Sequence, residues 1–271
     1  MKKTLGVVAR EYHENTALFG AKTALLQEMA NEAQNLAIEL LVFSPLTWQP
    51  GEFEINGYSF CDGAWVANRH IMPNNLYYRF IARTHEKTLI RDFNCFLRQN
   101  NFNFLNPLEL GSLVKNKMLF YNFLIENNIP TIESILIDNA SEEMIESFLN
   151  YSNCIYIKPI KGHGGKGIAI VKQSQHDREA FYLMTKSCMV INRKELLETL
   201  KAKFNSSSYL LQPKAKVFEL DNSHFDVRVL VQNSGNANYQ VTGMGARIGS
   251  KHSWITNING DGKALSIYEL R

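Results

Sequence analysis

The hydrophobic and polar positions of the first hundred residues follow two different periods. Residues 4–9 (TLGVVA) and 38–43 (IELLVF) are short apolar runs of the kind that form buried strands. Between them, residues 16–35 place apolar side chains at helical spacing. A strand, a helix and a strand in this order predict a parallel α/β unit.

Two further strand patterns complete this first half. Residues 53–65 alternate around Asn56 and Gly57, which predicts a hairpin that turns at this pair. Residues 76–80 (LYYRF) predict another strand, and turn-forming residues follow shortly after position 100. We therefore expect an N-terminal α/β domain over residues 1–108.

The second half alternates short strands with short helices and predicts an antiparallel α+β domain over residues 109–271. Ser112 is a suitable cap for its first helix. The predicted segments are helices at residues 112–126, 141–149 and 193–203, and strands at residues 131–137, 209–212, 225–232 and 239–248, with two more strands around a glycine-rich segment.

Composition narrows the function classes. The 271 residues are 45% apolar and 20% charged, which supports a packed core, and the net charge of +3 is too small to indicate nucleic acid or anionic lipid. No apolar run is long enough for a membrane helix, and the N-terminal run is too short for a signal peptide. Four cysteines without C-x-x-C spacing suggest reduced thiols, so a cytoplasmic protein is expected.

The glycine-rich segment, residues 155–172, reads IYIKPIKGHGGKGIAIVK and contains G-x-G-x-x-G from Gly162 to Gly167. A dinucleotide fingerprint would lead into a helix, whereas an apolar β-branched run follows here, and the P-loop pattern is absent. A strand, a glycine loop and a strand remain. Such a loop can lay backbone N–H groups over a triphosphate, or it can be an ordinary hairpin turn.

Lys158 lies inside the apolar strand that precedes these glycines. Ile155 and Ile157 should point to one face, and Tyr156 and Lys158 to the other. A lysine in such a strand needs either an anion or an exposed edge, and the following Pro159 favours an edge or a break. Both interpretations are open from these residues alone.

The hairpin predicted over residues 225–248 carries a second group of polar positions. Asp226 and Arg228 share a face of one strand, and Gly243, Gly245 and Arg247 share a face of the other. The two glycines would leave room beside a guanidinium that can hold phosphate oxygens. The alternative is a surface sheet with an Asp–Arg ion pair.

Taken together, the order of these segments resembles the ATP-grasp superfamily, specifically the YheC/YheD-like group associated with endospore coats. Protein kinases, which also cover a nucleotide with a glycine loop, are excluded because H-R-D and D-F-G are missing. The resembling segments are LYYRF, FNFLNP, KNKMLFYNFLIENNIPTIES, YIKPIKGHGGKGIAIV, FDVRVLVQ, VTGMGARIG and TNINGDG, which span most of the chain from residue 76 onward.

The resemblance implies an enzyme that holds ATP between two α+β subdomains, phosphorylates a carboxylate with the help of Mg²⁺, and lets an amine or thiol displace the phosphate. The residues at the matching positions are Lys117 and Lys158 as nucleotide lysines; Gly162, Gly164, Gly165, Lys166 and Gly167 as the loop over the phosphates; Leu211, Gln212 and Pro213 as the hinge that meets adenine; Arg228 and Arg247 as contacts for the γ-phosphate and the acyl substrate; and Asn257 near the same end.

One departure affects the metal. The family's metal ligands are an Asp or Glu followed by an E-x-N pair, and neither Asp261 nor Glu269 belongs to such a motif. We therefore expect an ATP-grasp domain that lacks its C-terminal end, with unknown metal ligands. The expected partners are ATP, a small-molecule or peptide carboxylate, and an amine acceptor. A non-catalytic spore-coat or assembly protein and an ATP-sensing regulator are the alternatives.

Overall fold

The structure, a computed structural model, describes residues 3–12, 17–137, 142–162, 167–177, 180–184, 188–204, 208–216, 219–221, 223–234, 238–249 and 262–270. The chain forms two compact units, Met1–Gly111 and Ser112–Arg271. No helix in the described part of the chain is long and apolar enough to cross a membrane.

The first unit is built on a six-stranded sheet with the order β4-β3-β2-β1-β5-β6. Strand β1 is parallel to β2 and β5, β6 is parallel to β5, and β3 and β4 extend the sheet as an antiparallel hairpin. Its elements are β1 (Lys3–Val8), α1 (Thr23–Asn35), β2 (Ile38–Phe43), β3 (Glu54–Cys61), β4 (Ala64–Ile71), β5 (Asn75–Tyr78), α2 (Lys87–Gln99) and β6 (Asn103–Phe104), followed by α3 (Leu108–Lys115).

Helices α1 and α2 cover opposite faces of this sheet. Alternate residues of β1 belong to different cores: Val7 packs in a cluster with Leu26 of α1, and Val8 packs in a cluster with Phe93 of α2. Both faces of the central strands are therefore buried, which explains their continuous apolar runs. The predicted α/β class of the first half is confirmed.

The predicted turn of the β3–β4 hairpin is wrong. Asn56 and Gly57 lie inside β3, and the turn is made by Asp62 and Gly63, whose φ angles of 50° and 80° suit a two-residue hairpin loop. Gly57 has a packing role instead, because a Cβ atom there would lie 2.9 Å from Cδ1 of Leu41.

The second unit begins with a small lobe around a six-stranded sheet of order β11-β10-β9-β8-β12-β7, in which every pair is antiparallel. This pairing agrees with the predicted α+β class. The elements are α4 (Lys117–Glu126), β7 (Ile135–Ile137), α5 (Glu142–Tyr151), β8 (Cys154–Pro159), β9 (Ala169–Gln173), β10 (Ala180–Met184), β11 (Cys188–Asn192), α6 (Arg193–Phe204) and β12 (Tyr209–Pro213).

The single helix predicted from Ser112 is wrong as well. Helices α3 and α4 are separated at Asn116, which has extended backbone angles and caps α4. Its side-chain oxygen accepts hydrogen bonds from the backbone N–H groups of Met118 (3.1 Å) and Leu119 (3.3 Å). The break sets Lys117 at the first position of α4.

A separate four-stranded sheet follows, with the order β13-β14-β15-β16. Its strands are β13 (Glu219–Leu220), β14 (Ser223–Asn233), β15 (Tyr239–Ile248) and β16 (Lys263–Ser266). Strands β14 and β15 form the long antiparallel hairpin, with a register shift between Leu230 and Val231. On both sides of this shift, most apolar side chains between Val227 and Val231 and between Tyr239 and Met244 are exposed.

Candidate functional site

Strands β8 and β9 are antiparallel neighbours, so the two strands predicted on either side of the glycine-rich segment are present. Gly162 and Gly167 have φ angles of 133° and 75°, which residues other than glycine rarely adopt. A Cβ atom on Gly167 would also lie 2.9 Å from Cγ of Pro159. Gly164, Gly165 and Lys166 lie outside the described residues.

Lys158 occupies the open face of β8. Ile155 and Ile157 are fully buried on the other face, whereas the Lys158 side chain is half-buried next to the ring of Tyr156. Because β8 lies between β9 and β12, the interpretation of Lys158 as an edge lysine is wrong. Its ammonium group donates a hydrogen bond of 2.6 Å to Oε1 of Gln212 on β12.

Gln212 links Lys158 to a buried hydroxyl group. Its Nε2 donates to Oγ of Ser134 at 2.6 Å, and Ser134 Oγ donates to the backbone carbonyl of Ile132 at 3.0 Å. Ser134 is buried, so these bonds fix the orientation of the Gln212 amide and direct its oxygen to Lys158. Sequence reasoning missed Ser134, because no local pattern distinguishes this serine from others before a strand.

The other two hinge candidates support this arrangement through the backbone. Leu211 is buried in the core of the lobe, opposite Ile157 of β8 in the register. Pro213 ends β12 opposite Ile155, and the backbone N–H of the next residue, Lys214, still donates to the Cys154 carbonyl of β8 at 2.9 Å.

Lys117 approaches the same end of β8 from α4. Its ammonium group donates to the carbonyl oxygens of Pro159 (2.8 Å) and Gly162 (3.0 Å), and its backbone N–H donates to Ile160 (2.9 Å). The bonds therefore tie this lysine to the residues that open the glycine loop.

The two lysines carry charge that no carboxylate among the described residues neutralises. Burial lowers the pKa of Lys117, and burial followed by repulsion from Lys117 lowers the pKa of Lys158. Within the described ranges, neither ammonium group is paired with a carboxylate. A polyanion placed here would relieve both the desolvation and the repulsion.

The two arginines lie together on the β14–β15 hairpin but in different surroundings. Asp226 pairs with Arg247 in the register, and Arg228 pairs with Gly245, so these side chains share one face. Arg247 donates to both carboxylate oxygens of Asp226, at 2.7 Å each, and this ion pair raises the pKa of Arg247. Arg228 is exposed.

The two glycines of this face are loosely packed. A Cβ atom on Gly245 would come no closer than 3.7 Å to the Leu265 carbonyl, and one on Gly243 no closer than 3.8 Å to Leu230. The face that carries Arg228 therefore lacks two side chains, and no neighbouring atom packs closely against these two positions.

The structure thus brings together Lys117, Lys158 and Gln212 at one end of β8, and Arg228 with Arg247 on the hairpin. Asn257 lies outside the described residues. Within the described residues, no group of three His, Cys, Asp or Glu side chains could hold a metal ion. Glu269 instead accepts a hydrogen bond of 2.6 Å from the backbone N–H of Ser266.

The arrangement of sheets around these lysines is that of the ATP-grasp fold. A RiPP-associated ATP-grasp ligase from Chryseobacterium gregarium, solved with ADP and a leader and core peptide, matches 98% of this chain and 78% of its own, with a TM-score of 0.55 and 13% identity. D-alanyl-alanine synthetase A from Vibrio cholerae matches 98% of this chain and 74% of its own, with a TM-score of 0.52 and 12% identity.

Within this class, the chain belongs to the YheC/D-like ATP-grasp family, whose family model matches residues 101–271. A curated relative is the endospore coat-associated protein YheC of Bacillus subtilis strain 168, which is 22% identical over 247 residues, or 88% of this chain. The matched region spans 66% of that relative's length, just under two thirds.

Proposed function

We propose that the protein binds ATP and acts as an ATP-dependent carboxylate–amine or carboxylate–thiol ligase that works through an acylphosphate. The observation that carries this proposal is the pair of half-buried ammonium groups of Lys117 and Lys158, which have no carboxylate partner among the described residues and lie next to the glycine-rich segment between β8 and β9. Family membership and the fold of ATP-grasp ligases support the same assignment.

The nucleotide would be held by three parts of the second unit. Lys117 and Lys158 would contact its phosphate oxygens through charge-assisted hydrogen bonds, and residues 162–167 would cover the phosphates with backbone N–H groups. Backbone groups of residues 211–213 would meet the adenine. The side chain of Gln212 holds the Lys158 ammonium group in one orientation, so that its charge is already in place before the nucleotide binds.

The reaction would then take place in two displacements. A carboxylate oxygen of the substrate attacks the γ-phosphorus of ATP, the bond to the β-phosphate oxygen breaks, and ADP leaves. The amine nitrogen or thiol sulfur of the acceptor next attacks the acyl carbon of the acylphosphate, and inorganic phosphate leaves as the amide or thioester forms.

Positive charge is needed in both displacements, because triphosphate and carboxylate repel one another. Arg228 is exposed on the hairpin face and is our candidate for contact with the transferring phosphoryl group. Arg247 is held by Asp226 and would position the acyl substrate with the remaining guanidinium edge.

Mg²⁺ would supply neutralisation of the β- and γ-phosphate oxygens in such a reaction. The described residues contain no group of three His, Cys, Asp or Glu side chains that could hold a metal ion. We therefore assign no step to a metal held by this part of the chain.

The test is turnover. We expect Mg-ATP to bind in calorimetry, and we expect ADP and phosphate to be released when the right carboxylate and amine are both present. Candidate acceptors are amino acids and peptides, including peptides of the spore coat, since a relative is named for its association with that structure. A protein that binds no Mg-ATP would contradict the proposal.

A non-catalytic spore-coat or assembly protein that kept the fold is the second candidate. The name of the Bacillus relative and the lack of a metal-ligand cluster among the described residues favour it. This candidate predicts no turnover with any amino-acid or peptide acceptor, whereas release of ADP dependent on an acceptor would exclude it.

A further inference from the structure

The first unit contains a topological switch point that the proposed function does not use. Strand β1 lies between β2 and β5 and is parallel to both. The chain passes from β1 to β2 through α1, and from β5 to β6 through α2, in opposite directions along the sheet. Open α/β sheets bind ligands outside the carboxyl ends of the two strands at such a point.

Three cationic side chains come together at the carboxyl ends of β1 and β5. Arg10 follows β1, Arg79 directly follows β5, and Lys22 stands immediately before α1. The backbone N–H of Arg79 donates to the Val8 carbonyl at 2.9 Å, and Lys22 Nζ donates to the Arg79 carbonyl at 2.9 Å. These two bonds fix the three segments relative to one another.

Among the described residues, one of these three charges is paired with a carboxylate. Arg10 forms a two-pronged ion pair with the buried carboxylate of Glu86, at 2.7 and 2.6 Å. Arg79 donates to the hydroxyl group of Tyr77 at 2.7 Å, and neither it nor Lys22 is paired with a carboxylate in the described part of the chain. Two positive charges therefore share a half-buried region in which the described residues supply no carboxylate partner for them.

The repulsion between these groups shows in Lys22. Burial lowers its pKa first, and the charges of Arg79 and Arg10 lower it further. A lysine on an ordinary exposed face would stay hydrated and would lie far from other cations. Lys22 instead gives up part of its hydration for one carbonyl oxygen and lies close to two guanidinium groups.

We propose that Lys22 and Arg79 form an oxyanion-binding site at the β1–β5 switch point, which takes the carboxylate or phosphate group of a small molecule. A planar guanidinium fork beside an ammonium point charge is suited to either group. Arg10 is already paired with Glu86, so it contributes positive potential near the site but is not expected to bind the ligand directly. The site belongs to the first unit and does not depend on ATP binding by the second.

The test is a titration of the full chain with succinate and with inorganic phosphate, each at constant ionic strength, followed by amide and lysine NMR signals. We expect saturable shifts with at least one anion, and a rise in the pKa of Lys22 as that anion binds. Lys22→Met and Arg79→Gln should weaken binding by roughly tenfold or more. The anion whose binding reaches saturation shows whether the site takes a carboxylate or a phosphate group.

Two controls separate this site from other effects. Lys3→Met removes the same charge at the opposite end of β1, where the side chain is exposed, and should leave binding unchanged. Lys158→Met should leave this binding unchanged too, because Lys158 belongs to the second unit. Loss of phosphate binding in that variant would mean instead that the nucleotide lysines hold the phosphate. If Lys22→Met does not fold, Arg79→Lys tests the fork alone and should also weaken binding.

The proposal fails if neither anion saturates, or if wild type, Lys22→Met and Arg79→Gln bind alike. It also fails if Lys3→Met weakens binding as much as Lys22→Met, since the effect would then be general charge.

Discussion

Replacing Lys158 with methionine should weaken ATP binding far more than it weakens the fold. The ammonium group is half-buried and is repelled by Lys117, and both effects are unfavourable. Its hydrogen bond to Gln212 partly offsets them. Methionine keeps most of the volume and removes the charge. In the unliganded protein, the lost bond to a charged group, about 1.5–3 kcal/mol, is offset by relief of desolvation and repulsion.

The binding of ATP to the variant is not helped in this way. The variant loses a charge-assisted contact to phosphate, again about 1.5–3 kcal/mol, and at about 1.4 kcal/mol per tenfold this corresponds to roughly 10- to 100-fold weaker affinity. Stability without nucleotide should change by less than about 2 kcal/mol. The two measurements together distinguish a ligand-binding lysine from one that serves the fold.

The assay is calorimetric titration of Mg-ATP into wild type, Lys158→Met and Lys194→Met. Lys194 is exposed on α6 of the same unit, so its variant is a control for net charge. Thermal unfolding with and without Mg-ATP gives an independent reading, because ligand bound to the folded state raises the midpoint. Gln212→Met, which frees the ammonium group without removing it, should give an intermediate loss of affinity.

Unchanged affinity of Lys158→Met for Mg-ATP would refute this reasoning. So would an equal loss in Lys194→Met, because the effect would then come from overall charge.

Two further predictions concern stability and the glycine loop. The ion pair with Arg10 holds the pKa of Glu86 at about 2 instead of 4.5, so its contribution is present above about pH 4.5 and is lost as pH falls towards 2. Glu86→Gln should therefore cost about 3–5 kcal/mol in urea unfolding at pH 7 and much less at pH 2; equal losses would contradict this. Gly167→Ala meets Pro159 at positive φ and should destabilise by about 1–3 kcal/mol. The control is Gly111→Ala, which should not destabilise the protein because a Cβ atom there has no neighbour within 4 Å. Equal thermal midpoints for Gly167→Ala and Gly111→Ala would show that alanine is not strained at position 167.

The sequence was sufficient where structure follows from local periodicity. The runs of β1 and β2 are apolar on both faces because α1 and α2 cover both sides. The β-branched run after Gly167 correctly predicted a strand rather than a helix. The β14–β15 hairpin and its shared polar face followed from alternation alone.

Local signals were less decisive where two of them competed. Asn56-Gly57 and Asp62-Gly63 are both suitable hairpin turns, and the chain turns at the second pair while Gly57 packs against Leu41 inside β3. Helix α2 had no predicted counterpart, although its buried residues recur at helical spacing. These residues are Ile90, Phe93, Phe96 and Leu97.

What the tertiary structure decided is the partner of each charge. Lys158 meets Gln212 across 54 positions, and Gln212 meets Ser134 across 78. Lys22 meets the Arg79 carbonyl across 57. Periodicity determines which face of a strand or helix a side chain occupies, because that depends only on neighbours in the chain. Whether a buried cation finds a carboxylate, a carbonyl or no anion depends on which strands pair, and only the folded chain sets that.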